Sequence, residues 1–565
     1  MSKMQKMIVF VCTLVLLVSV FLVKQGVYAN NDEQAPYYTI VLEDGRVEHI
    51  PFSNHLPAQQ ISIISDDMDD SVELLNSIQY GVARILGYTT YKEYDGTNSK
   101  LPRSGYVHGT SANDAAFICV LDDKTVRVKQ AGIYIDIPVE NVTVSEYNKD
   151  SQVSYYMSKN NMLYHYYYHG EYSMQSALAS TCVGYTPEYL KENTKYYSYD
   201  GHYFYTNYKT MINDYKTGVN YNKNAVNKTS PYYNYYQYLS FRTPSKFNET
   251  QYNTYIDKGI NKTNKTSVFN NMGTVILNNE KTYSINSSLL LGVAINESAW
   301  GTSYFATSRY NLFGIKATDA NPNNALSFKD INECIQYFSS RMLSDGYLDG
   351  RDYRYRGAHL GDKQSGVNVY YASDPYWGEK AASYSYYLNM DNNHCDYKQY
   401  DIVISQNGNV IFYKDKNLVK GIYSSGASVN NNINYFVYNI PFTVIDKETH
   451  GYKIYSDTVL NDERTKINGD SLTQYDISRD YVYVDKNEVK LIYEKDKEPV
   501  YIKGDVNGDG KVTSLDFILI KNHIMNTKVL KDDQLFRADV NQDDKVTSLD
   551  FILIKNHIMG IKKLY

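Results

Sequence analysis

The pattern of apolar and polar positions changes several times along this chain, and each change predicts a different kind of structure. Residues 36–145 alternate apolar and polar side chains, with glycine and aspartate at the turns, as in YYTIVLEDGRVEHI and AGIYIDIPVENVTV. This period of two is typical of half-buried strands, so we predict a β-rich module over residues 30–149. Similar alternation returns in DIVISQNGNVIFY and YVYVDKNEVKLIY, which predicts one or two small barrels within residues 395–497.

The segment between these two modules has two parts. Residues 150–239 are dense in tyrosine and polar residues, with clusters such as YHYYYHGEY, and their periodicity is mixed. From residue 240 to residue 394 the apolar positions recur at helical spacing, which predicts an α-helical domain. A short charged linker leads into a last segment, residues 498–565, that carries a repeat. The predicted fold class is therefore multidomain: a helical domain flanked by β-rich modules, with a small separate unit at the C-terminus.

The first 29 residues have the features of a secretory signal. Two lysines precede a mostly apolar run, residues 8–23, and a small residue, Ala29, stands where cleavage is expected. The run is shorter than the ~20 residues that usually span a bilayer, so cleavage is favoured over an anchor helix. We therefore predict a secreted, extracellular protein with no membrane span once residues 1–29 are removed.

The charge and the amino-acid composition of the chain argue against two classes of function, nucleic-acid binding and zinc binding. The formal net charge of −6 gives no reason to expect a nucleic-acid partner. Tyrosine is unusually frequent, with 61 residues against 18 phenylalanines and 2 tryptophans. A tyrosine ring suits stacking on sugars, although the excess could equally be a habit of a polar secreted protein. The cysteines beyond the signal show no C-x-x-C spacing, so a zinc site is not expected, and their pairing stays open.

The string KVTSLDFILIKNHIM occurs twice near the C-terminus, starting at Lys511 and at Lys545. Each copy completes the oxygen-ligand spacing 1, 3, 5, 7, 9 and 12 of a calcium loop, with a main-chain carbonyl at position 7. We predict two structural Ca²⁺ sites. Position 6 is Gly508 in the first loop but Asp544 in the second, and aspartate tolerates a left-handed turn less well, so weaker binding is expected there. The predicted ligands are Asp505, Asn507, Asp509, Lys511, Thr513 and Asp516, and Asp539, Asn541, Asp543, Lys545, Thr547 and Asp550.

This repeat resembles a type I dockerin, the calcium-dependent module that docks an enzyme onto a cohesin. Dockerins lack a helix before the first loop, and here Pro499 and Gly504 argue against one. The resemblance implies a cohesin-bearing scaffold protein as partner. The recognition positions that it implies are Ser514, Leu515, Lys521 and Asn522 in the first copy, and Ser548, Leu549, Lys555 and Asn556 in the second.

Candidate chemistry lies in SINSSLLLGVAINESAWGTSYF, residues 284–305. Apolar residues at helical spacing, ending in Val293 and Ala294, share a helix face with Glu297. A carboxyl on the apolar side of a buried helix should have a raised pKa, which is the condition for a general acid at neutral pH. Trp300 follows at once and is expected to supply an apolar wall. No metal site is expected near this acid.

This stretch resembles the bacterial autolysin glucosaminidases of glycoside hydrolase family 73. The resemblance is carried by NESAWGTS (residues 296–303), NLFGIKA (311–317) and YASDPYWGEKAASY (371–384), with a further likeness at residues 235–256. It implies a lysozyme-like domain over residues 240–394 that hydrolyses β-1,4 bonds at N-acetylglucosamine in peptidoglycan. The implied catalytic residues are Glu297 as acid, with Tyr371 and Asp374, and the implied substrate-binding residues are Trp300, Asn311, Phe313 and Gly314.

The second catalytic group is left open by the sequence. An inverting glycosidase holds its base ~6.5–9.5 Å from the acid, and a retaining one holds its nucleophile at ~5–5.5 Å. The candidates by position are Asp319, Asp345, Asp349 and Asp374, and Asp374 could equally cap the helix that follows it. The acetamido group of the substrate could also assist, leaving a single essential carboxyl.

Three functions therefore compete. The first is a secreted peptidoglycan hydrolase tethered to a cohesin scaffold. The second keeps the fold but acts on glycoprotein or chitin-like glycans. The third is a non-catalytic wall-binding component, since the β-rich modules, which resemble SH3-like wall-binding modules, and the Tyr-rich residues 150–239 make up more than half of the chain.

Overall fold

The structure is a computed structural model, and the chain forms two compact units, residues 1–494 and 495–565, each described by itself. Of the predicted signal, only Val20–Gln25 is described, as a strand; the rest lies outside the described residues. No helix in the described part of the chain is long and apolar enough to cross a membrane. The described residues are 20–25, 37–42, 47–51, 68–96, 103–170, 177–316, 324–392, 394–429, 433–435, 437–468, 474–495, 503–509, 511–531, 533–541, 543 and 545–564.

The predicted N-terminal alternation does form sheets. Strands β1 (Val20–Gln25), β2 (Tyr37–Leu42) and β3 (Val47–Pro51) pair in that order, and helix α1 (Met68–Ser77) follows. A seven-stranded antiparallel sheet has the order β10-β4-β7-β8-β9-β5-β6. Its strands are β4 (Gly81–Ile85), β5 (Tyr88–Tyr94), β6 (Ser104–His108), β7 (Asp114–Val120), β8 (Thr125–Gln130), β9 (Ile133–Pro138) and β10 (Val142–Glu146).

The Tyr-rich segment folds into a four-stranded sheet of order β13-β12-β11-β14, followed by helix α2 (Tyr208–Thr217). Many of its tyrosine rings are buried, among them Tyr199, Tyr205 and Tyr215, so they pack in a core rather than coat a surface. The strands are β11 (Tyr155–Lys159), β12 (Met162–His169), β13 (Ala177–Tyr185) and β14 (Lys195–Tyr196).

The predicted helical domain contains α3 (Glu249–Thr263), α4 (Met272–Tyr283), α5 (Ser287–Ser298), α6 (Tyr304–Arg309) and α7 (Ile331–Tyr337), which continues as a π-helix (Phe338–Tyr347), then α8 (Asn368–Tyr371) and α9 (Trp377–Asp391). Asn286 caps α5 by accepting the Leu289 N–H at 2.9 Å. A Cβ on Gly292 would stand 2.4 Å from the Ala381 carbonyl oxygen, so glycine is needed where α5 meets α9.

The core of this helical domain extends into both flanking segments. Cys182 of the Tyr-rich sheet and Ile402 of the C-terminal sheet belong to the same buried cluster as Leu290 of α5 and Ala381 of α9. Residues 1–494 accordingly form one compact unit, and the domain boundaries proposed within it remain predictions.

The second β-rich region forms a seven-stranded sheet of order β17-β16-β22-β21-β20-β15-β23 and a hairpin, β18-β19. An SH3-like fold for it stays a prediction. Its strands are β15 (Ile402–Ser405), β16 (Ile411–Tyr413), β17 (Gly421–Ser424), β18 (Ala427–Val429), β19 (Ile433–Tyr435), β20 (Pro441–Lys447), β21 (Gly451–Tyr455), β22 (Tyr481–Asp485) and β23 (Val489–Tyr493).

The C-terminal unit is small and helical. It contains α10 (Ser514–Ile524), α11 (Asp533–Ala538) and α12 (Ser548–Ile558), and α10 and α12 come from the two copies of the repeat. The rings of Phe517 and Phe551, which are equivalent in the two copies, stack with centroids 4.1 Å apart. Ile520 and Ile554 are fully buried beside them. The apolar faces of the two repeat copies therefore pack against each other.

Candidate active site and calcium loops

Glu297 lies in the last turn of α5, where the helix ends in a sharp turn. Ala299, Trp300 and Gly301 have φ values of 49°, 63° and 72°, three successive left-handed residues. Glu297 is a half-buried residue, and its Oε1 accepts the indole N–H of Trp377 at 2.6 Å. Its Oε2 is buried and has no hydrogen-bond partner among the described residues. One oxygen is therefore held in place, and the other is left for a partner from outside.

Burial raises the pKa of Glu297 to about 8. The hydrogen bond from Trp377 and the nearby Asn296 side chain oppose this rise, because they stabilise the charged form, while the Asp374 charge adds to it. The carboxyl is therefore largely protonated at neutral pH. Since Oε1 accepts a hydrogen bond, the proton belongs on Oε2.

Tyr371, the last residue of α8, lies beside this carboxyl. Its ring contacts Trp377, with centroids 4.7 Å apart, and lies near Tyr347 and Phe338. Its hydroxyl is buried and has no hydrogen-bond partner among the described residues. Burial, and next the negative charge of Glu297, raise the pKa of Tyr371, so the hydroxyl stays neutral and close to the acid.

Each of the two predicted calcium loops is followed directly by a helix whose N-terminus is capped. In the second loop, carboxylate oxygens of Asp539, Asp543 and Asp550 lie within 4.8 Å of one another. Asp550 also accepts the N–H of Thr547 at 2.8 Å, which fixes position 12 at the helix start. Three converging carboxylates are hard oxygen donors of the kind that Ca²⁺ prefers, so these residues fit the ion.

The first loop repeats this arrangement. Asp516 is fully buried and accepts the N–H groups of Asn507 and Thr513, and Asp505 accepts those of Gly508 and Asp509. Gly508 has a φ of 76°, as the left-handed turn at position 6 requires. Asp544, the equivalent position in the second loop, lies outside the described residues.

Two family models match the chain in these two places. Residues 273–390 match the family described as mannosyl-glycoprotein endo-beta-N-acetylglucosaminidase, and residues 503–559 match the dockerin type I domain. The chain carries a glucosaminidase domain and a type I dockerin domain. The glucosaminidase domain is a glycoside hydrolase domain, and Glu297, Tyr371 and Trp377 all lie within it.

Two Streptococcus pneumoniae proteins, both provisionally named endo-beta-N-acetylglucosaminidase, are 30% identical over 266 residues, 46% of this chain. The match spans only about a third of those proteins, 34% and 32% of their lengths. Among solved structures, Staphylococcus aureus Autolysin E matches at 18% identity over 28% of this chain and 73% of that chain, with a TM-score of 0.23. A catalytic mutant of Autolysin E in complex with the disaccharide NAG-NAM matches at 16% identity over 29% and 75%, with the same TM-score.

Asp374 was a candidate second carboxylate of the glucosaminidase domain, and its geometry favours a structural role before α9 instead. It is buried, forms an ion pair with Lys380, and accepts the Tyr376 N–H at 2.9 Å just before α9. Both of its carboxylate oxygens are therefore engaged by protein groups. Asp345 and Asp349 are likewise paired, with Arg341 at 2.9 Å and with Arg351 at 2.6 Å. Asp319 lies outside the described residues.

Trp300 was predicted to supply an apolar wall beside the acid, and that role stays a prediction. The left-handed turn after α5 carries its ring between Tyr255 and Tyr384, against Gly259. The indole that contacts Glu297 is that of Trp377. This residue was not predicted as a site residue, although its place in YASDPYWGEKAASY and the scarcity of tryptophan in the chain could have indicated it.

Asn311, Phe313 and Gly314 shape the loop after α6. Asn311 is buried, donates to the carbonyls of Ile315 and Leu326, and accepts the Ile315 N–H. Phe313 is buried and stacks on Phe338 with centroids 3.8 Å apart. Because the side chains of Asn311 and Phe313 are buried, the structure does not support direct contact between them and a substrate. Gly314 has a φ of 60° and is half-buried.

In the dockerin, the predicted recognition residues lie on exposed parts of α10 and α12. Leu515 and Leu549 are 59% and 50% exposed, which is unusual for leucine. Ser514, Lys521, Ser548 and Lys555 are exposed, and Asn522 and Asn556 are half-buried. The two copies thus present matching sets of side chains to solvent.

Proposed function

We propose that the protein is a secreted peptidoglycan hydrolase that cleaves β-1,4 glycosidic bonds at N-acetylglucosamine and is tethered to a cohesin scaffold. The observation that carries this proposal is the state of Glu297: a neutral carboxyl on a half-buried residue, whose Oε2 has no partner among the described residues. A structural glutamate in a core is normally paired, because an unmet buried polar group costs free energy. A general acid instead receives its partner, the glycosidic oxygen, from the substrate.

The first step follows from this geometry. Glu297 gives its Oε2 proton to the bridging oxygen as the bond from C1 to that oxygen breaks, and the bonding electron pair leaves with the departing sugar. The carboxylate that forms on Glu297 is stabilised by the Trp377 N–H, which already lies 2.6 Å from Oε1. Tyr371 is fully buried, so its catalytic role stays a prediction from the sequence.

For the second step we propose that the acetamido group of the substrate takes the place of a second carboxylate. Its carbonyl oxygen attacks C1 as the leaving sugar departs, and the Glu297 carboxylate then takes a proton from the water that opens this intermediate. Support comes from Asp345, Asp349 and Asp374, each held in an ion pair. This route retains the anomeric configuration, so NMR of the first product distinguishes it from inversion. Loss of activity in Asp319→Asn would instead indicate that Asp319 supplies the second carboxylate.

A second substrate class is favoured by the description of the matched family, which names mannosyl-glycoproteins. The same acid would then cleave the bond within the N,N′-diacetylchitobiose core of a glycan. Mass spectrometry of products from defined peptidoglycan, chitin oligomers and N-glycans separates these substrates. Our proposal expects muropeptide fragments ending in N-acetylglucosamine, and it fails if N-glycans alone are cleaved.

We further propose that the dockerin holds two structural Ca²⁺ ions and docks onto a cohesin outside the cell. The carboxylates of Asp539, Asp543 and Asp550 support an ion in the second loop, and the matching helix starts support one in the first. The ion supplies the charge that orders each loop. Binding of the full chain to an immobilised cohesin, with and without calcium, tests this part by itself.

A further inference from the structure

Trp377 is the first residue of α9, and the first turn of that helix is held by the Tyr-rich sheet. Glu379, two residues later, is buried. Its Oε1 accepts the Tyr156 hydroxyl at 3.0 Å, and its Oε2 lies 2.8 Å from Nδ1 of His165. Because a carboxylate can only accept, the imidazole donates through Nδ1. We call these three residues, Tyr156, His165 and Glu379, the clamp.

The rings of the clamp also pack on one another and on the residue before the helix. Tyr156 and His165, from neighbouring strands β11 and β12, stack with centroids 4.1 Å apart at an angle of 6°. The His165 ring meets Tyr376 edge-on at 4.4 Å. The side chain at the N-cap of α9 makes no capping hydrogen bond, so the side-chain contacts of the clamp hold this end of the helix.

The glucosaminidase family match covers residues 273–390, and the two strand residues of the clamp lie outside it. Trp377 donates a hydrogen bond to Glu297, and Glu379 accepts one from Tyr156 of the sheet. The first turn of α9 therefore connects the acid to the sheet. We propose that Tyr156 and His165 are positioning residues for catalysis: acting through Glu379, they hold the start of α9 so that Trp377 stays in hydrogen-bond contact with Glu297. The sheet is then part of the catalytic machinery rather than a separate binding module.

Tyr156→Phe is the sharpest probe, since it removes one hydroxyl and keeps the buried ring. Tyr155→Phe is its matched control, because Tyr155 is the preceding residue of β11, faces the other side of the sheet and stacks on Tyr166. Glu379→Gln is a second variant that keeps the size of the side chain. Thermal unfolding shows whether each variant folds.

The first readout needs no substrate. The chain has two tryptophans and 61 tyrosines, so in a Trp300→Phe background the fluorescence reports on Trp377 alone when it is excited at wavelengths that tyrosine does not absorb. We expect Tyr156→Phe and Glu379→Gln to change the emission maximum and the acrylamide quenching of Trp377, while Tyr155→Phe leaves both as in the parent. Unchanged Trp377 fluorescence in a folded Tyr156→Phe variant overturns the proposal.

The second readout rests on the proposed function. Misplacing a catalytic group by about 1 Å can cost up to ~100-fold in rate, so we expect Tyr156→Phe to lower kcat about tenfold with KM within about twofold. A purely structural role would instead lower stability with kcat unchanged, and that result overturns the proposal. If the parent protein cleaves no glycan, the proposed function fails. The fluorescence readout still tests whether the clamp positions Trp377.

Discussion

The indole N–H of Trp377 and the Oε1 atom of Glu297 lie 2.6 Å apart, which joins the start of α9 to the end of α5. This contact and the burial of the carboxyl act on the Glu297 pKa in opposite directions: burial raises it and the hydrogen bond lowers it. The pair therefore sets how readily the acid gives up its proton. It also identifies which oxygen is left for the substrate, since Oε1 is already engaged.

Trp377→Phe keeps an aromatic ring but removes the N–H donor. The ionised Glu297 then loses a stabilising partner, so its pKa should rise further and the decline of activity at high pH should move to higher pH. Losing a donor to a charged group costs about 1.5–3 kcal/mol, so we expect kcat to fall by about one to two orders of magnitude. A pH–rate profile measures both effects. Trp300→Phe is the control, and an unmoved high-pH decline in Trp377→Phe would contradict this account.

Asn311→Ala removes three hydrogen bonds from the buried side chain that closes the loop after α6. Buried backbone groups would be left unmet, so we expect a loss of about 2–4 kcal/mol in the free energy of unfolding, measured by urea denaturation. Asn270→Ala, at an exposed asparagine, is the control and should change stability by less than about 0.5 kcal/mol. Equal stability of the two variants would show that Asn311 does not hold this loop.

The environment of the acid could be predicted from the sequence because it is local. Apolar residues at helical spacing put Glu297 on a buried face of α5. The turn after α5 could not be predicted in this way, because no periodicity encodes its three left-handed residues. The wall beside the acid comes from Trp377, about eighty residues later, and only the tertiary fold brings it there.

The β-rich regions were predicted from alternation, and sheets occur over residues 81–146 and 402–493. The sequence did not predict that these sheets share a hydrophobic core with the helices. Alternation shows that a strand has a buried face, but it does not show which element covers that face. The mixed periodicity of residues 150–239 hid a sheet whose tyrosines are buried, such as Tyr156 and Tyr167. A buried tyrosine usually pairs its hydroxyl, as Tyr156 does with Glu379, and such a partner is visible only in three dimensions.

Asp396 provides a test of stability against pH. Burial raises its pKa from 3.8 to about 6, with the nearby Glu280 charge adding to the rise, although it accepts the Lys246 N–H at 2.7 Å. Because the folded-state pKa is the higher one, ionisation costs stability that is lost progressively as pH rises from 3.8 to about 6. Asp396→Asn keeps the acceptor oxygen and removes this cost, so its Tm should exceed the parent value at neutral pH.

Below pH 3.8 the carboxyl is protonated in both states, and the Tm difference between Asp396→Asn and the parent should vanish. Calorimetry at the two pH values makes the comparison. Asp257→Asn, at an exposed aspartate of α3, should show no such pH-dependent gain. A difference that is equal at both pH values would mean that the Asp396 carboxyl is not buried.

Chelation of calcium should act on the dockerin alone. The carboxylates of Asp539, Asp543 and Asp550 repel one another without a cation, so EDTA should expose residues 503–559 to proteolysis and abolish cohesin binding. Glycan cleavage should continue nearly unchanged, because no metal-binding cluster lies near Glu297 in the described part of the chain. Excess calcium should restore docking. Cleavage that stops with EDTA and returns with calcium would contradict this separation.

The most direct test of the account is the activity of Glu297→Gln on defined peptidoglycan, measured as products by mass spectrometry across a pH series. The parent should lose activity as pH rises through about 8, the pKa of its acid, and the variant should be slower by about 10²–10⁴-fold while remaining folded. Above pH 8 the variant should also unfold at a higher temperature than the parent, since it has no buried charge. Full activity of Glu297→Gln would contradict the assignment of Glu297 as the proton donor.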